Sequence, residues 1–450
     1  MLKILKLRVP RSRGHPREKP SIDQAFSLNL YTFRHRNRFW RSLPVSVLRH
    51  WIPAATVGAV ITAGAIATPL QAGAVDLPER TPQELLTILS DDVTGFSGTV
   101  LKTSNLGLPE LEMSQMMSEQ MVEEMEATMP DGFDEFLPSV IEHSSFTDAI
   151  SFLAGEDTIR VYASEQGFRA QVMDPLSQRD VIVTPEAAYS YNARTQSVLM
   201  RTVDVDVSDD DAEAKKEEAM DEFTRETGVD ATNPDAVADY FLDMAGESSV
   251  ITVGADHRVA GRDAYMLVVT PRSEVSLIER VEISVDAETG LGLGTTVFST
   301  EQSTPALEVA FQSVSFSEPD SSIFDFTPPP GASVTEMELP ESVEADYKKL
   351  GDESLTDDER RALVEAMIEE FVPGANPEVF GEDWDMVAHA DTLPESFPLE
   401  MLENELLSDL LVQVEGGQVF STPLGNVLIT DAGEVYAGAV TIDHLLTVAN

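Results

Sequence analysis

The residue types that most often carry catalysis or bind metals are sparse in this chain. Beyond residue 75 there are four histidines, none at the spacing of a zinc site: His143, His257, His389 and His444. No Gly-x-Ser-x-Gly sequence supplies a nucleophilic serine, and no glycine-rich phosphate loop follows a predicted strand. The chain also has no cysteine, which excludes thiolate nucleophiles, thiolate metal sites and disulfides.

Carboxylates are so abundant in this chain that two of them lying close in sequence do not indicate a catalytic site. Beyond residue 75 there are 77 Asp and Glu residues, so close pairs arise by chance and do not indicate a paired-carboxylate hydrolase. The run Asp209–Asp211 lacks a turn glycine at the spacing of a calcium loop and is typical of a solvated face. We therefore predict a protein that is not an enzyme and that carries neither a metal nor another cofactor.

Charge is distributed very unevenly along the chain, whose formal net charge is −49. The first 50 residues hold 12 Lys and Arg against two acidic residues, and residues 51–75 are uncharged. The remaining body therefore has 18 basic against 77 acidic residues. Such a body repels DNA and RNA, so we expect no nucleic-acid partner. Adaptation to saline surroundings is the favoured interpretation of this acidity, and recruitment of a cationic partner is the alternative.

Residues 51–75 are predicted to direct the chain across the cytoplasmic membrane. Ile52–Leu70 is an uncharged stretch of 19 residues that follows the basic leader of residues 1–50, which we expect on the cytoplasmic side. Ala72–Ala74 then matches a small-x-small signal peptidase site. Cleavage after Ala74 would release a secreted protein, whereas without cleavage the segment can hold it by one transmembrane helix. Either way, the body is expected to be exported.

Four β-type runs follow one another between Ala260 and Gly331. In the second run Val281, Ile283 and Val285 alternate with polar residues, the period of a strand with one covered face. The fourth run changes parity near Gln312–Ser313, which predicts a bulge. Turn residues after the second run predict a hairpin with the third. The product is a curved antiparallel sheet built from these runs: Tyr265–Thr270, Val281–Val285, Leu293–Thr300 and Leu307–Phe316.

Helices and shorter strands are predicted before this sheet. Thr81 and Glu84 form a capping box that begins a helix, and Phe96–Thr103 reads as the strand that follows it. Asn233 begins an amphipathic helix that is expected to end at Gly246. Five short strands lie between: Ile159–Ala163, Phe168–Met173, Arg179–Val183, Ala188–Tyr191 and Ser197–Val203.

A methionine stripe interrupts the early part of this pattern. Leu111–Met129 contains methionines at every fourth position, which places them on one helix face: Met113, Met117, Met121 and Met125. Packing of this helix on the body is the favoured interpretation. The second interpretation is a flexible flap that covers an apolar cavity. Binding of cuprous ion by the thioethers is the least favoured.

The segment Phe324–Gly331 (FDFTPPPG) resembles the end of the sheet in the outer-membrane lipoprotein carrier (LolA-like) family, which closes with an F-x-F-x-P-P-x-G signature. Lipoprotein-sensing RseB-type domains share that fold. The resemblance covers about Leu77 to Pro340 and implies an α+β domain over residues 76–340, a curved antiparallel half-barrel sheet covered by helices. One departure concerns the lid: the family has an arginine shortly before the position of Phe168, where this chain has Ser164 and Glu165.

Residues 341–450 are predicted to form a small C-terminal α+β extension, similar to extensions on actinobacterial members of that family. A second capping box, Thr356–Glu359, begins one helix and Leu402–Leu411 forms another. Three short β-type runs complete it: Val412–Glu415, Val427–Thr430 and Val435–Val440. The pattern assigns this extension no separate function.

The resemblance implies an apolar cavity as the functional site. A half-barrel that its helices cover incompletely can bind acyl chains, since each buried methylene contributes about 0.8 kcal/mol without needing a polar partner. We expect lipid or lipoprotein acyl chains as ligands, for transport or envelope sensing. The residues expected to line the cavity are Phe168, Val172, Tyr189, Tyr191, Tyr265, Leu267 and Phe298.

Two other functions fit the same pattern. An RseB-like regulator would bind a membrane partner protein of the anti-sigma type, and it would present a protein-binding face on the C-terminal extension. A purely structural or adhesive surface protein would have a sheet interior packed without a cavity.

Overall fold

The computed structural model describes residues 77–89, 93, 95–108, 153–174, 177–202, 224–225, 227–230, 232–336, 378–392 and 410–450. Several predictions lie outside these ranges: the basic leader, the signal or anchor segment, the methionine stripe, the Asp209–Asp211 run and the helix that begins at Thr356–Glu359. The predicted boundary at residue 340 also lies outside them. Within the described ranges, no helix is both long and apolar enough to cross a membrane.

The described chain is dominated by one large mixed sheet of 13 strands. Its strand order is β13-β6-β5-β4-β3-β2-β1-β12-β11-β10-β9-β7, and β8 also pairs with β9. The strands are β1 Phe96–Ser104, β2 Glu156–Ser164, β3 Gly167–Asp174, β4 Ser177–Val183, β5 Ala187–Asn192, β6 Ser197–Thr202, β7 Ser249–Val253, β8 His257–Val259, β9 Arg262–Pro271, β10 Ile278–Asp286, β11 Gly292–Ser299, β12 Leu307–Ser315 and β13 Ser333–Glu336.

The sheet departs from the antiparallel prediction at one edge. All described pairs are antiparallel except that of β13 with β6, where Val334 lies opposite Val198 in parallel register. After Phe324–Gly331 the chain thus returns to the far edge of the sheet and adds a parallel strand. A strand of four mostly exposed residues has no alternating apolar pattern, so its sequence carries no strand signal.

The ten strands predicted before and within Ala260–Gly331 are all present, with ends shifted by a few residues. The predicted bulge is confirmed as well. In the pairing of β1 with β12, Thr99 lies opposite Ser313 and Val100 opposite Phe311, so Gln312 is the extra residue. The bulge restores Val314 to the face that Phe311 occupies.

Two helices are described beside the large sheet, α1 Pro82–Leu89 and α2 Pro234–Ser248. Helix α1 begins with the predicted capping box, since Glu84 N donates to Thr81 Oγ1 (3.2 Å) and Thr81 N donates to Glu84 Oε2 (2.9 Å). Its Leu85 is fully buried in the main core. Helix α2 ends two residues beyond the predicted Gly246 and leads directly into β7.

Helix α1 also packs on the β10–β11 hairpin. The turn residue Gly290 has a φ of 74°, a conformation that side chains other than glycine rarely adopt. A Cβ at this position would collide with the backbone carbonyl of Ile88. The absence of a side chain at Gly290 therefore lets the end of α1 lie against the turn.

Replacing Asn233 with alanine is expected to destabilise the protein by about 1 kcal/mol. The Asn233 side-chain oxygen accepts hydrogen bonds from Asp235 N (3.1 Å) and Ala236 N (3.5 Å), the first free donors of α2. Urea denaturation measures the change, and Asn233→Ser is the matched control because serine can keep the cap. An equal loss in both variants would show that the cap does not cause the effect.

The C-terminal residues form a second sheet of six described strands and a short helix. Its order is β14-β15-β19-β18-β17-β16. The elements are β14 Glu378–Phe380, β15 Val387–Ala390, β16 Leu411–Val414, β17 Gly417–Thr422, β18 Gly425–Thr430, β19 Val435–Gly438 and α3 Ile442–Val448. Three of these strands match the predicted runs. Leu411, predicted to end a helix, instead begins β16.

The second sheet is docked against the first through buried contacts. Trp384 Nε1 donates to Ser249 Oγ at 2.8 Å, and the Trp384 ring joins the core of the large sheet. Backbone hydrogen bonds add to this, since Leu277 N donates to Ala439 O and Thr441 N donates to Val275 O, both at 2.8 Å. The two sheets therefore share a buried, hydrogen-bonded contact.

Candidate functional site

Strand register decides which side chains share a face of the large sheet, because directly opposed residues point the same way. Leu267 pairs with Ile283, Ile283 with Thr295, and Thr295 with Val309. All four are buried, and Tyr265 lies on the same side two residues before Leu267. We call this side the core face and the opposite side the outer face.

The core face continues across β1 into β2 and β3. Val100 pairs with Ile159, and Ile159 pairs with Val172. Ala163 pairs with Phe168, so Phe168 and Val172 lie on the core face together with Tyr265 and Leu267. Tyr265 and Leu267 are fully buried there, whereas Phe168 and Val172 are only partly buried at its margin.

The other three predicted lining residues lie on the outer face. Val183 pairs with both Phe168 and Ala188, so Tyr189, the next residue, points to the opposite side, as does Tyr191. Both tyrosine rings pack against Phe326, with centroids 5.1 and 5.9 Å apart. The seven residues therefore do not share one face.

Phe298 is the third residue on the outer face. It alternates with the core-face residue Val297 along β11. The Arg280 guanidinium lies 3.5 Å from the centre of the Phe298 ring, in a cation–π contact. Phe298 thus has a packing partner of its own on the side away from Tyr265.

The segment that carries the family resemblance runs over the outer face of β3–β5. Arg169 holds it there, donating to Ile323 O at 2.9 Å and to Asp180 Oδ2 at 2.6 Å. Phe324 is buried against Gly167, where a Cβ would meet the Phe324 ring at 3.3 Å. With Phe326 on the two tyrosines, the segment covers this face and stabilises the scaffold.

The core face changes from closed to open along the sheet. On β9–β12 its side chains are buried beneath α1, Trp384 and the second sheet. On β3 and β4 its apolar side chains are partly exposed, and Val181 reaches 43 % exposure. Val181 pairs with Ala170, which places both on the core face. A largely apolar surface, which also holds Arg179 opposite Val172, thus continues from the core onto β3 and β4, and we call it the β3–β4 surface.

A buried ion pair lies on the core face between its closed and open parts. Lys102 is 0 % exposed, and its Nζ lies 2.7 Å from Asp157 Oδ2. The same ammonium donates to Ala154 O and, at 3.2 Å, to Gly155 O. Because these acceptors already hold it, Lys102 is placed to stabilise the fold rather than to receive a ligand headgroup.

A groove of about 380 Å³ opens between α1, α2 and the edge strand β7. Its lining mixes apolar with charged and polar groups: Pro82, Gln83, Asp239, Leu242, Ile251 and Arg272. The sequence did not predict this groove, because it forms only where the two helices meet the sheet edge. Its mixed lining suits an apolar chain less well than the β3–β4 surface.

A serine–histidine pair is present that sequence spacing did not reveal. His257 Nε2 lies 2.8 Å from Ser284 Oγ, although 27 residues separate them. Both side chains are buried, and burial lowers the pKa of His257, with a backbone hydrogen bond and two nearby carboxylates acting in the opposite direction. This buried pair offers no access to a substrate, and it links β8 to β10.

No protein-family model and no curated protein matches this chain. Among solved structures, MucB from the Pseudomonas aeruginosa MucA/MucB complex is similar at 12 % identity and a TM-score of 0.36, over 82 % of this chain and 95 % of that one. A LolA-superfamily protein from Nitrosomonas europaea is similar at 8 % identity and a TM-score of 0.19, over 55 % and 99 %.

A putative outer membrane lipoprotein-sorting protein domain from Vibrio parahaemolyticus is similar at 8 % identity and a TM-score of 0.19, over 59 % of this chain and 96 % of that one. These three structures are thus similar to the chain at 8 to 12 % identity. At TM-scores under 0.5 they assign neither membership nor function, and the similarity of residues 341–450 to actinobacterial extensions stays a prediction.

Proposed function

We propose that this chain is an exported, non-enzymatic protein that binds the acyl chains of lipids or lipoproteins on the β3–β4 surface. The observation that carries the proposal is the continuity of the core face with a partly exposed apolar margin, where Phe168, Val172 and Val181 lie. Exposing contiguous apolar surface to water is unfavourable in free energy, and such surfaces commonly mark binding sites. A half-barrel curvature of the sheet around this surface belongs to the same proposal.

Acyl chains fit this surface by their chemistry. A chain of about eight methylenes buried there gains roughly 6 kcal/mol before the cost of ordering it. Of the charged groups on the core face, Lys102 and Asp157 pair with one another, whereas Arg179 lies directly opposite Val172, beside the apolar side chains. Phe168 and Val172 form the contact edge of the site, while Tyr265 and Leu267 lie in the buried core further along the same face.

Val181→Asp is expected to weaken acyl-chain binding by at least about tenfold, because it places a carboxylate within the apolar contact. The measurement is displacement of a fluorescent fatty acid from the purified full-length chain, together with mass spectrometry of co-purified lipid. Val334→Asp is the matched control: Val334 is 46 % exposed, close to the 43 % of Val181, but lies on the outer-face side of β13. We expect this control to bind as the unaltered protein does.

Failure of the proposal has two distinguishable forms. If no acyl lipid co-purifies and the fluorescent fatty acid does not bind, the surface is not an acyl site. If the same purification from membranes instead yields one stoichiometric membrane protein, the chain is a regulator of the RseB type. Equal loss of binding in Val181→Asp and Val334→Asp would show that added charge, not the β3–β4 surface, causes the effect.

A further inference from the structure

Three side chains capable of binding a metal ion meet where strand β15 ends and strand β19 begins in the second sheet. His389 lies on β15, Asp391 follows the end of β15, and Glu434 precedes β19. Strands β15 and β19 are antiparallel neighbours, with Ala390 opposite Val435. The end of one strand therefore lies beside the start of the other. One ligand atom from each of the three side chains lies within 4.8 Å of the others.

The imidazole at the centre of this cluster is buried, and its hydrogen-bonding capacity is unmet within the part of the chain that the structure describes. The His389 side chain is 8 % exposed, and among the described residues neither ring nitrogen has a hydrogen-bond partner. Its Nε2 lies 3.8 Å from Asp391 Oδ1, and its Nδ1 lies 4.0 Å from Glu378 Oε2. Both distances exceed a hydrogen bond. Burying an imidazole without a hydrogen-bond partner destabilises the folded protein, unless a bound ligand interacts with its ring nitrogens.

The surroundings hold the ring in place and make the cluster strongly negative. Tyr436 stacks on the His389 ring, with centroids 4.4 Å apart and planes inclined by 29°. Three carboxylates, those of Glu434, Asp391 and Glu378, lie close to the imidazole, and a cation bound among them would relieve their mutual repulsion.

We propose that His389, Asp391 and Glu434 bind a divalent transition metal ion of the zinc type. One imidazole nitrogen with two carboxylate oxygens suits Zn²⁺, whereas Ca²⁺ and Mg²⁺ prefer oxygen ligands alone. Two ligands of a tetrahedral zinc lie about 3.4 Å apart, so the 3.8 Å between His389 Nε2 and Asp391 Oδ1 needs only a small adjustment. Water would complete the coordination.

Glu378 has a supporting role in the proposed site. It lies directly opposite His389 in the pairing of β14 with β15, on the Nδ1 side of the ring. A metal-bound histidine commonly donates its other N–H to a carboxylate, which fixes the ring orientation. Glu378 is placed to accept that bond. In the proposed site, three side chains bind the metal ion and Glu378 orients the imidazole.

The test is titration of zinc sulfate into the purified full-length chain by calorimetry, in roughly 0.5 M sodium chloride to screen diffuse cation binding by the acidic surface. We expect one zinc per chain. His389→Ala, Asp391→Asn and Glu434→Gln should each weaken that binding by at least about tenfold. Asp431→Asn and Glu415→Gln are the matched controls, since both are exposed acids of the same sheet outside the cluster.

A second readout separates zinc binding from a loss of folding. X-ray absorption of the zinc-loaded protein should show one imidazole and otherwise oxygen ligands, and the imidazole should be absent in His389→Ala if that variant retains any zinc. Far-UV circular dichroism shows whether each variant is folded. The proposal is overturned if the unaltered chain shows no one-to-one site in high salt, or if the control variants lose zinc as the cluster variants do.

Discussion

Replacing Lys102 with methionine is expected to destabilise the protein by about 3–5 kcal/mol. Methionine fills a similar volume, so the loss comes from the charge. The Lys102 side chain is 0 % exposed, and the nearly buried carboxylate of Asp157 would lose the ammonium that lies 2.7 Å from it. The carbonyls of Ala154 and Gly155 would lose a donor in the same step. A buried charge without its partner costs far more than the pair itself contributes.

Urea denaturation of two further variants tests this explanation. The double variant Lys102→Met with Asp157→Leu should recover much of the loss, since apolar residues of similar volume often replace a buried ion pair without net cost. Arg258→Met breaks an ion pair with Asp263 whose side chains are both exposed, and should cost at most about 1 kcal/mol. If Lys102→Met were no more damaging than Arg258→Met, the buried pair would not stabilise the core face.

Replacing Arg262 with methionine is expected to cost a similar amount, about 3–5 kcal/mol. Arg262 donates to both oxygens of Asp286, at 2.5 and 2.8 Å, and its guanidinium lies 4.6 Å from the centre of the Phe316 ring. Asp286 is 1 % exposed and also accepts hydrogen bonds from Thr289 in the β10–β11 turn. Loss of Arg262 therefore leaves a buried carboxylate at the turn that supports α1.

The loss of stability in Arg262→Met is tested by measuring it as a function of pH. Burial by itself would raise the pKa of Asp286, but the hydrogen bonds from Arg262 and Thr289 outweigh it, so the pKa lies below its ordinary value of 3.8. The stability from ionised Asp286 is then fully present above roughly pH 4 and is lost as the pH falls through the lower folded pKa. The free energy difference between the unaltered protein and Arg262→Met should shrink in that acidic range.

The control for Arg262 is Glu288→Gln. Glu288 accepts from the same guanidinium at 2.9 Å, but its side chain is 81 % exposed, so this change should cost less than about 1 kcal/mol. A difference between the unaltered protein and Arg262→Met that stayed constant from neutral to acidic pH would contradict the assigned role of Asp286.

Much of the secondary structure could be predicted from the sequence, because it depends on interactions between residues that are close together along the chain. The capping box of Thr81 and Glu84 joins groups three residues apart, and the alternation in Val281–Val285 needs only neighbouring residues. The bulge at Gln312 was readable for the same reason, because a change of parity within one strand is a local event. Strands β7, β8 and β13 of the large sheet were not predicted, and the four mostly exposed residues of β13 carry no such pattern.

The candidate sites depended on contacts between distant residues. Tyr189, Tyr191 and Phe298 were grouped with Tyr265 by their aromatic or apolar character, but the register between strands places them on the opposite face. Likewise, the search for metal ligands relied on short sequence spacing. It passed over His389 and Glu434, which are 45 residues apart and meet only because β15 pairs with β19.

By itself, the sequence determined ten of the thirteen strands of the large sheet, the caps of two helices, the bulge and the absence of cysteine-based chemistry, all of which depend on residue types and near neighbours. Only the tertiary structure decided which side chains share a face, that the Phe324–Gly331 segment covers Tyr189 and Tyr191, and that Lys102 and Asp157 pair within the core face. The physical reason is that side chains alternate along every strand, so a shift of one residue in pairing exchanges the two faces of the sheet.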